Sequence, residues 1–238
     1  MMIAIHQPHY FPWIGYLDKM AKADKFVLMD TVQLEKRSYM LRNRIIDLDS
    51  NIRYLTIITE TQSHYNYEYR GIKTKNFKEW TDKQKGTLIW AYKKSPYFDE
   101  IWEAISPIFI EEREYLCDIT IQSIEILRKL FEIRTPLLLQ SALKIDKSYK
   151  KDKLILEICK AAGADVYYSG NGAKKYMDNE MFEREGVHVI YQQFEHPVYK
   201  QMGNHKFEPG LSALDMLFNC GIKRARELFW NQVNAMLT

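Results

Sequence analysis

Two histidines with Gln7 and Pro8 between them put two titratable nitrogens and an amide into one short stretch, His6-Gln-Pro-His-Tyr-Phe-Pro-Trp13. An imidazole ionises near neutrality, so such a group can take or give a proton under ordinary conditions. Pro8 and Pro12 each fix φ and bias the residue before them away from helix. A stretch stiffened in this way holds its side chains in place before a ligand arrives, which lowers the cost of binding. His6, Gln7 and His9 are therefore candidate catalytic groups, and the rings of Tyr10 and Trp13 are candidate substrate contacts. The plainer alternative packs the rings beneath the next helix and leaves the histidines to cap backbone groups.

The flanking elements must position this bend. Met2-Ile-Ala-Ile5 is a short apolar run, Ile14 to Ala23 has helical spacing, and Lys25-Phe-Val-Leu-Met-Asp30 reads as a second strand. Strand, polar loop, helix, strand is the order of a parallel α/β unit, whose ligands lie where strands end. A second junction of this kind follows the strand Asp165 to Ser169, where Gly170-Asn-Gly172 leads into a helix expected near Ala173. Backbone N–H groups at such a start can hold an anion, so Ser169, Gly170 and Asn171 join the substrate-binding candidates. The GK[ST] ending of a phosphate-binding loop is absent, and a tight turn needing two glycines is the alternative.

Lys36, Arg37, Arg42 and Arg44 lie close in sequence to Asp30 and the histidine stretch, with Asn43 among them. Guanidinium forks bind carboxylate or phosphate bidentately, so these residues are candidates to meet an anion, against the alternative of a solvated hairpin returning through the strand Arg53 to Ile58. Further on, His188 to Tyr191 reads as a last strand. His196 follows as a second candidate base and Tyr199 as a substrate contact. Leu211 to Asn219 is a helix with Ser212 as N-cap and Asp215, another substrate-binding candidate, three residues later. Gly221 ends it, and Lys223 to Met236 forms a terminal helix.

Between these halves the pattern is helical. Trp80 to Tyr92, Phe98 to Ile105, and the stripe Leu116, Ile119, Ile124, Leu127, Phe131 predict three helices, so residues 76–135 are expected to form a helical insertion or lid on a single domain spanning 1–238. Pro136 to Ser141 returns as a strand, Lys144 to Lys153 is a basic loop, and Lys153 to Ala162 is a helix closed by Gly163. With 34 basic and 31 acidic side chains, no broad polyanion-binding surface is expected, and nucleic acid is demoted as a partner unless a charged tRNA is the donor. The three cysteines show no CxxC spacing and fit a reducing compartment, so neither a disulfide frame nor a cysteine zinc site is expected. With no histidine spacing of HxxxH or HExxH type either, no structural metal is expected. No apolar run approaches a bilayer span, so the expectation is a cytoplasmic protein.

Taken together, Ile5-His-Gln-Pro-His-Tyr-Phe-Pro-Trp-Ile-Gly-Tyr16, Lys36-Arg-Ser38 with Arg42-Asn-Arg44, Gly163 to Gly170 with Tyr176-Met-Asp178, and His196-Pro-Val-Tyr-Lys-Gln201 leading to Leu211 to Asn219 resemble the WbqC-like protein family over nearly the entire chain. That resemblance implies a place in O-antigen (lipopolysaccharide) or other surface-polysaccharide biosynthesis. It implies an enzyme that adds an amino-acid or other acyl group to the amine of a nucleotide-linked amino sugar. The stretch His6-Gln-Pro-His9 also resembles the HxGH motif of nucleotidyltransferases and pantothenate synthetase, with Pro8 in the glycine position. The expected fold is accordingly α/β, a mainly parallel sheet of Rossmann-like, nucleotidyltransferase-like type.

By that second resemblance the first expectation is an ATP-using amide ligase. ATP with Mg²⁺ would activate a carboxylate as its adenylate over His6 and His9, while Lys36, Arg37 and Arg44 neutralise phosphate. A second expectation is an acyltransferase that draws on a thioester or aminoacyl-tRNA without ATP, with His6 or His196 as general base. A third is a non-catalytic sugar-nucleotide binder. A homodimer fits any of the three.

Overall fold

The computed structural model describes residues 1–34, 38–60, 67–203 and 206–235. The chain begins with strand β1 (Met2–His6), helix α1 (Ile14–Ala21) and strand β2 (Lys25–Leu28), as the opening pattern predicts. An antiparallel ribbon of β3 (Arg42–Ile46) and β4 (Ile52–Thr56) follows, then α2 (Phe77–Tyr92), α3 (Phe98–Ile105) and α4 (Leu116–Phe131). The second half runs β5 (Leu137–Leu139), α5 (Lys151–Ala161), β6 (Val166–Ser169), α6 (Asn179–Arg184), β7 (His188–Tyr191) and α7 (Ala213–Ala235).

Five strands form one sheet in the order β5-β2-β1-β6-β7, and every pairing in it is parallel. The chain steps outward from β1 through β2 to β5, then crosses over through α5 to β6 on the far side of β1. The order therefore reverses between β1 and β6, which leaves a crevice beyond the carboxyl ends of those two strands. This is a Rossmann-like α/β fold, as expected. The crevice opens at His6 and Ser169, the last residues of the two strands.

Alternation along the strands divides the core into two layers. Ala4, Phe26 and Leu28 point to the face covered by α1, α4 and α7, with Leu17, Leu127, Phe131, Leu214 and Phe218 among the buried contacts. Ile3, Ile5, Val27 and Tyr167 point to the opposite face, against Leu156, Ile158 and Cys159 of α5 and Phe182 of α6. The helices of 76–135 belong to the first layer, where Trp80, Leu88, Ile101 and Ile124 share one core with the sheet.

Two local features differ from or refine the sequence reading. No α-helix begins near Ala173. Asn171–Lys175 is a short 3₁₀ turn whose residues are largely exposed, because the segment has no apolar face to bury against the sheet. The helix comes later, with Asp178 accepting from the N–H of Met181 as its cap. Gly221 does end a helical segment: it has φ 72° and ψ 165° inside α7, and the chain kinks there before continuing to Ala235. The ring of Tyr97 lies where a Cβ on Gly221 would sit, 2.6 Å away, so both the backbone angle and the space demand glycine.

Candidate functional site

A cleft of about 1200 Å³ occupies the carboxyl edge of the sheet at this crevice. Its floor is formed by Ile5, His6 and Gln7 from the end of β1, Ser169 and Gly170 from the end of β6, and Gln140 just past β5. Lys147, Lys150 and Lys151 line it where the chain enters α5, with Arg70 opposite in sequence and Lys19 reaching in from α1. No residue of 76–135 lines it.

His6 is half-buried here. Its Nδ1 lies 3.1 Å from the carbonyl oxygen of Gln7. A carbonyl only accepts, so Nδ1 carries the proton and Nε2 keeps its lone pair. Burial, with the competing ionisation of His9 and the Lys19 charge after it, holds His6 well below its ordinary value of 6.5, and the ring is neutral at neutral pH. It meets the His9 ring edge-on at 4.5 Å and packs against Tyr16 at 4.9 Å. Tyr16 in turn donates to the Gln7 carbonyl at 3.2 Å, so both sides of the bend are fixed.

Lys19 is the group the sequence reading missed. It is 3% exposed, and its Nζ donates to the Ile5 carbonyl at 2.7 Å. Among the described residues no carboxylate pairs with it. Burial pushes its ammonium down to about 7. The available signal was the helix itself: Ile14, Tyr16, Leu17 and Met20 make α1 apolar on several sides, and a lysine inside such a helix is buried with it. Gln140 was also overlooked, although a polar residue just beyond an all-leucine strand falls where parallel sheets bind ligands. It is 7% exposed and its Oε1 has no hydrogen-bond partner among the described residues, an unspent acceptor beside the cleft.

The rest of the bend turns inward. His9 is buried, stacks on Tyr16 at 5.1 Å, and is pushed down to about 3, first by burial and then by the Lys19 charge. Tyr10 is fully buried and donates to Gln84 at 2.9 Å. Phe11 has φ 38°, and its backbone is gripped on both sides: the N–H donates to Ser123 Oγ at 2.9 Å, and the carbonyl accepts from Asn43 Nδ2 and Ser212 Oγ, each at 2.8 Å. Trp13 packs edge-on against Phe194 at 5.2 Å. A Cβ on Gly15 would fall 2.3 Å from the Trp13 ring, so that glycine makes room for it.

The candidate cations divide. Arg42 stacks over Tyr54 at 4.4 Å on the β3–β4 ribbon. Arg44 donates to the carbonyls of Pro209 at 3.0 Å and Gly210 at 3.3 Å, and approaches Glu208. Neither lines the cleft, and Lys36 and Arg37 lie outside the described residues. Among the described residues the cations that do line it come instead from α1, from Arg70 and from the start of α5. Asp30 accepts from the backbone N–H of Ser141 at 2.8 Å and from its hydroxyl, tying the end of β2 to the turn after β5. Asn171 follows the lining residue Gly170 but is itself exposed.

A separate polar cluster gathers the C-terminal candidates. Asp215 accepts from Tyr92 and Tyr199 hydroxyls at 2.7 Å each and from Gln201 Nε2 at 2.8 Å. His196 sits among Trp13, Phe194, Tyr199 and Phe207, its Nδ1 donating to the Pro197 carbonyl at 2.9 Å, and burial lowers it below 6.5. None of these residues lines the cleft. Among the described residues no group of three or more His, Cys, Asp or Glu side chains converges as a metal site, and no helix is long and apolar enough to cross a membrane.

This chain is 29% identical over 224 residues to a protein of Mycobacterium tuberculosis (strain ATCC 25618 / H37Rv), "Uncharacterized protein Rv1507c", over 92% of this chain and 94% of that one. No solved structure matched significantly. The model of the WbqC-like protein family matches residues 7–227, from the bend that lines the cleft to the last helix, and the chain belongs to that family.

Proposed function

We propose that this protein is an enzyme of surface-polysaccharide assembly that transfers an amino-acid or other acyl group to the amine of a nucleotide-linked amino sugar, with His6 as general base. The observation that carries this reading is the state of His6: a neutral imidazole, tied through Nδ1 to the Gln7 carbonyl, at the reversal point of a parallel sheet and in a cleft edged by cations. An amine attacks an acyl carbon only through its lone pair, and the resulting adduct must shed a proton. His6 Nε2 takes that proton as the N–C bond forms, then returns it to the departing group as the acyl–donor bond breaks. Lys150 and Lys151 supply positive charge for the diphosphate of the sugar carrier, Lys147 beside them being paired with Glu68 at 2.5 Å.

The geometry favours a preformed acyl donor over the two-histidine adenylation scheme. His9 is not among the residues that line the cleft, and both imidazoles are held neutral, so they offer no paired positive charge to ATP phosphates. If ATP with Mg²⁺ is used, its phosphates fall to the lysines at the start of α5.

The test incubates the protein with UDP-, GDP- and dTDP-linked 4-amino sugars and an acyl thioester or aminoacyl-tRNA, and in parallel with glycine and ATP. An acylated sugar that disappears in His6→Ala supports the reading. AMP and pyrophosphate appearing with the product would restore the adenylate route. Sugar-nucleotide binding with no acylation in any arm, unchanged in affinity by His6→Ala, would overturn the catalytic reading in favour of a binding protein.

A further inference from the structure

A lysine stripped of water is normally paired, because an uncompensated buried ammonium is costly. Among the described residues Lys19 is not paired with a carboxylate. There its ammonium donates to the uncharged carbonyl of Ile5, and the ionisable groups facing it are the imidazoles of His6 and His9. Asp18, its neighbour on α1, is engaged elsewhere, by Lys22 at 2.7 Å and Gln192 at 2.7 Å. Yet Lys19 lines the cleft at the end of β1. We propose that Lys19 is an oxyanion-binding group: a carboxylate or phosphate-type oxygen of the ligand seats against its ammonium at the cleft floor, supplying the negative charge that the fold omits.

The consequence is a linked protonation. Without an anion, burial leaves Lys19 titrating near 7. An anion beside it favours the charged form and raises that midpoint. Binding therefore takes up a proton above pH 7, and affinity falls about tenfold per pH unit from there until the midpoint of the complex is reached. This holds whether or not the cleft performs acyl transfer, since it concerns only how an anion is held.

The experiment is competitive acetylation of the intact protein read by mass spectrometry, with the reactivity of Lys19 followed from pH 5 to 10. It is run alone, with sulfate as a tetrahedral probe, and with acetate as a carboxylate probe, none of which requires turnover. Lys19 should titrate near neutrality alone and move upward by a unit or more with one or both anions; the anion that moves it identifies the preferred class. Lys19→Arg should retain anion binding and Lys19→Met should lose it, each measured by calorimetry. A midpoint unmoved by either anion, a Lys19 unreactive throughout, or equal anion binding by Lys19→Met and wild type would overturn the proposal.

Discussion

The side-chain amide of Asn43 donates to the carbonyl of Phe11 at 2.8 Å, and Phe11 is held with φ at 38°, a region that a phenylalanine rarely adopts. The same amide donates to the Tyr10 carbonyl at 3.1 Å, while Asn43 Oδ1 accepts from the N–H of Arg44. One fully buried side chain thus pins the strained corner of the bend whose first residues floor the cleft. Asn43→Ala removes both donated bonds, taking the Asn43 donor from the Tyr10 carbonyl and leaving the Phe11 carbonyl to Ser212. It is expected to cost about 2–3 kcal/mol in urea unfolding. Anion binding at Lys19 should persist in whatever fraction remains folded; a loss of binding with stability unchanged would instead make Asn43 a ligand contact.

The buried imidazoles set the acid limit of stability. His9 titrates at about 3 in the folded chain, against 6.5 for a free histidine. Below 6.5 the unfolded chain takes up a proton that the folded chain refuses, so the contribution of His9 is complete above 6.5 and is lost as pH falls from 6.5 toward 3. At ~1.4 kcal/mol per unit this amounts to about 5 kcal/mol. His6 acts in the same direction. Thermal unfolding followed from pH 7 to pH 4 should show a steep decline, and His9→Phe should flatten it by about one proton. An equally steep decline in His9→Phe would mean that other groups set the limit.

Lys19 acts in the same sense as the imidazoles, over a higher range of pH. Its ammonium titrates at about 7 when folded and at 10.5 when free. Below pH 7 both states are charged and the fold bears the full penalty of a buried ammonium; between 7 and 10.5 the folded state sheds its proton first and stability rises with pH. Lys19→Met should therefore melt higher than wild type at pH 6, by about 2–4 °C for each kcal/mol regained, with the gain shrinking toward pH 10. A variant that melts lower at pH 6 would show that the bond to the Ile5 carbonyl outweighs the penalty of burial.

What could be read from the sequence follows from which forces are local. The strand, bend, helix and strand of residues 2–28 are encoded by apolar runs and prolines that act over a few residues. The same is true of the stripe in α4 and the break at Gly221, and all were legible. His6, Gln7, Ser169 and Gly170 were legible as positions that line the cleft, because a parallel sheet opens its crevice at strand ends. Arg44 and Asp30 were not. Proximity in sequence to the bend suggested a ligand role, but Arg44 is drawn to carbonyls 165 and 166 residues away and Asp30 to Ser141, and long-range pairings of this kind leave no local pattern. Lys19 was hidden for the converse reason: a lysine in an eight-residue helix is ordinarily solvated, and only packing on every side of α1 buries it.

His6 and His196 were equal candidates as base, and their surroundings separate them. Only His6 lines the cleft; His196 is enclosed by aromatic rings beside Asp215. His6→Ala is expected to lower the acylation rate by about 10²–10⁴-fold, whereas His196→Ala should leave it within about threefold. Because burial keeps His6 neutral well below 6.5, the rate should show no acid limb from this group between pH 7 and 6. An acid limb near 6.5 that His6→Ala abolishes would show that the imidazole is more solvated than its packing against His9 and Tyr16 allows.

Asp215 anchors the polar cluster that lies outside the cleft lining. Its fully buried carboxylate accepts from two tyrosine hydroxyls and one glutamine amide, drawn from α2 and from the segment after β7. Removing it strands three donors in a dry environment, so Asp215→Ala should destabilise by at least about 3 kcal/mol, while Tyr92→Phe and Tyr199→Phe should each cost about 1–2 kcal/mol. Because the three partners share one acceptor, Tyr92→Phe added to Asp215→Ala should cost far less than it does alone, a coupling that a double-mutant cycle in urea measures directly. Asp215→Asn retains an acceptor oxygen but sets an amide against the donors that remain, and should fall between wild type and Asp215→Ala. If Asp215→Ala instead unfolds like wild type while sugar-nucleotide binding is lost, the carboxylate serves a ligand and the network around it is incidental.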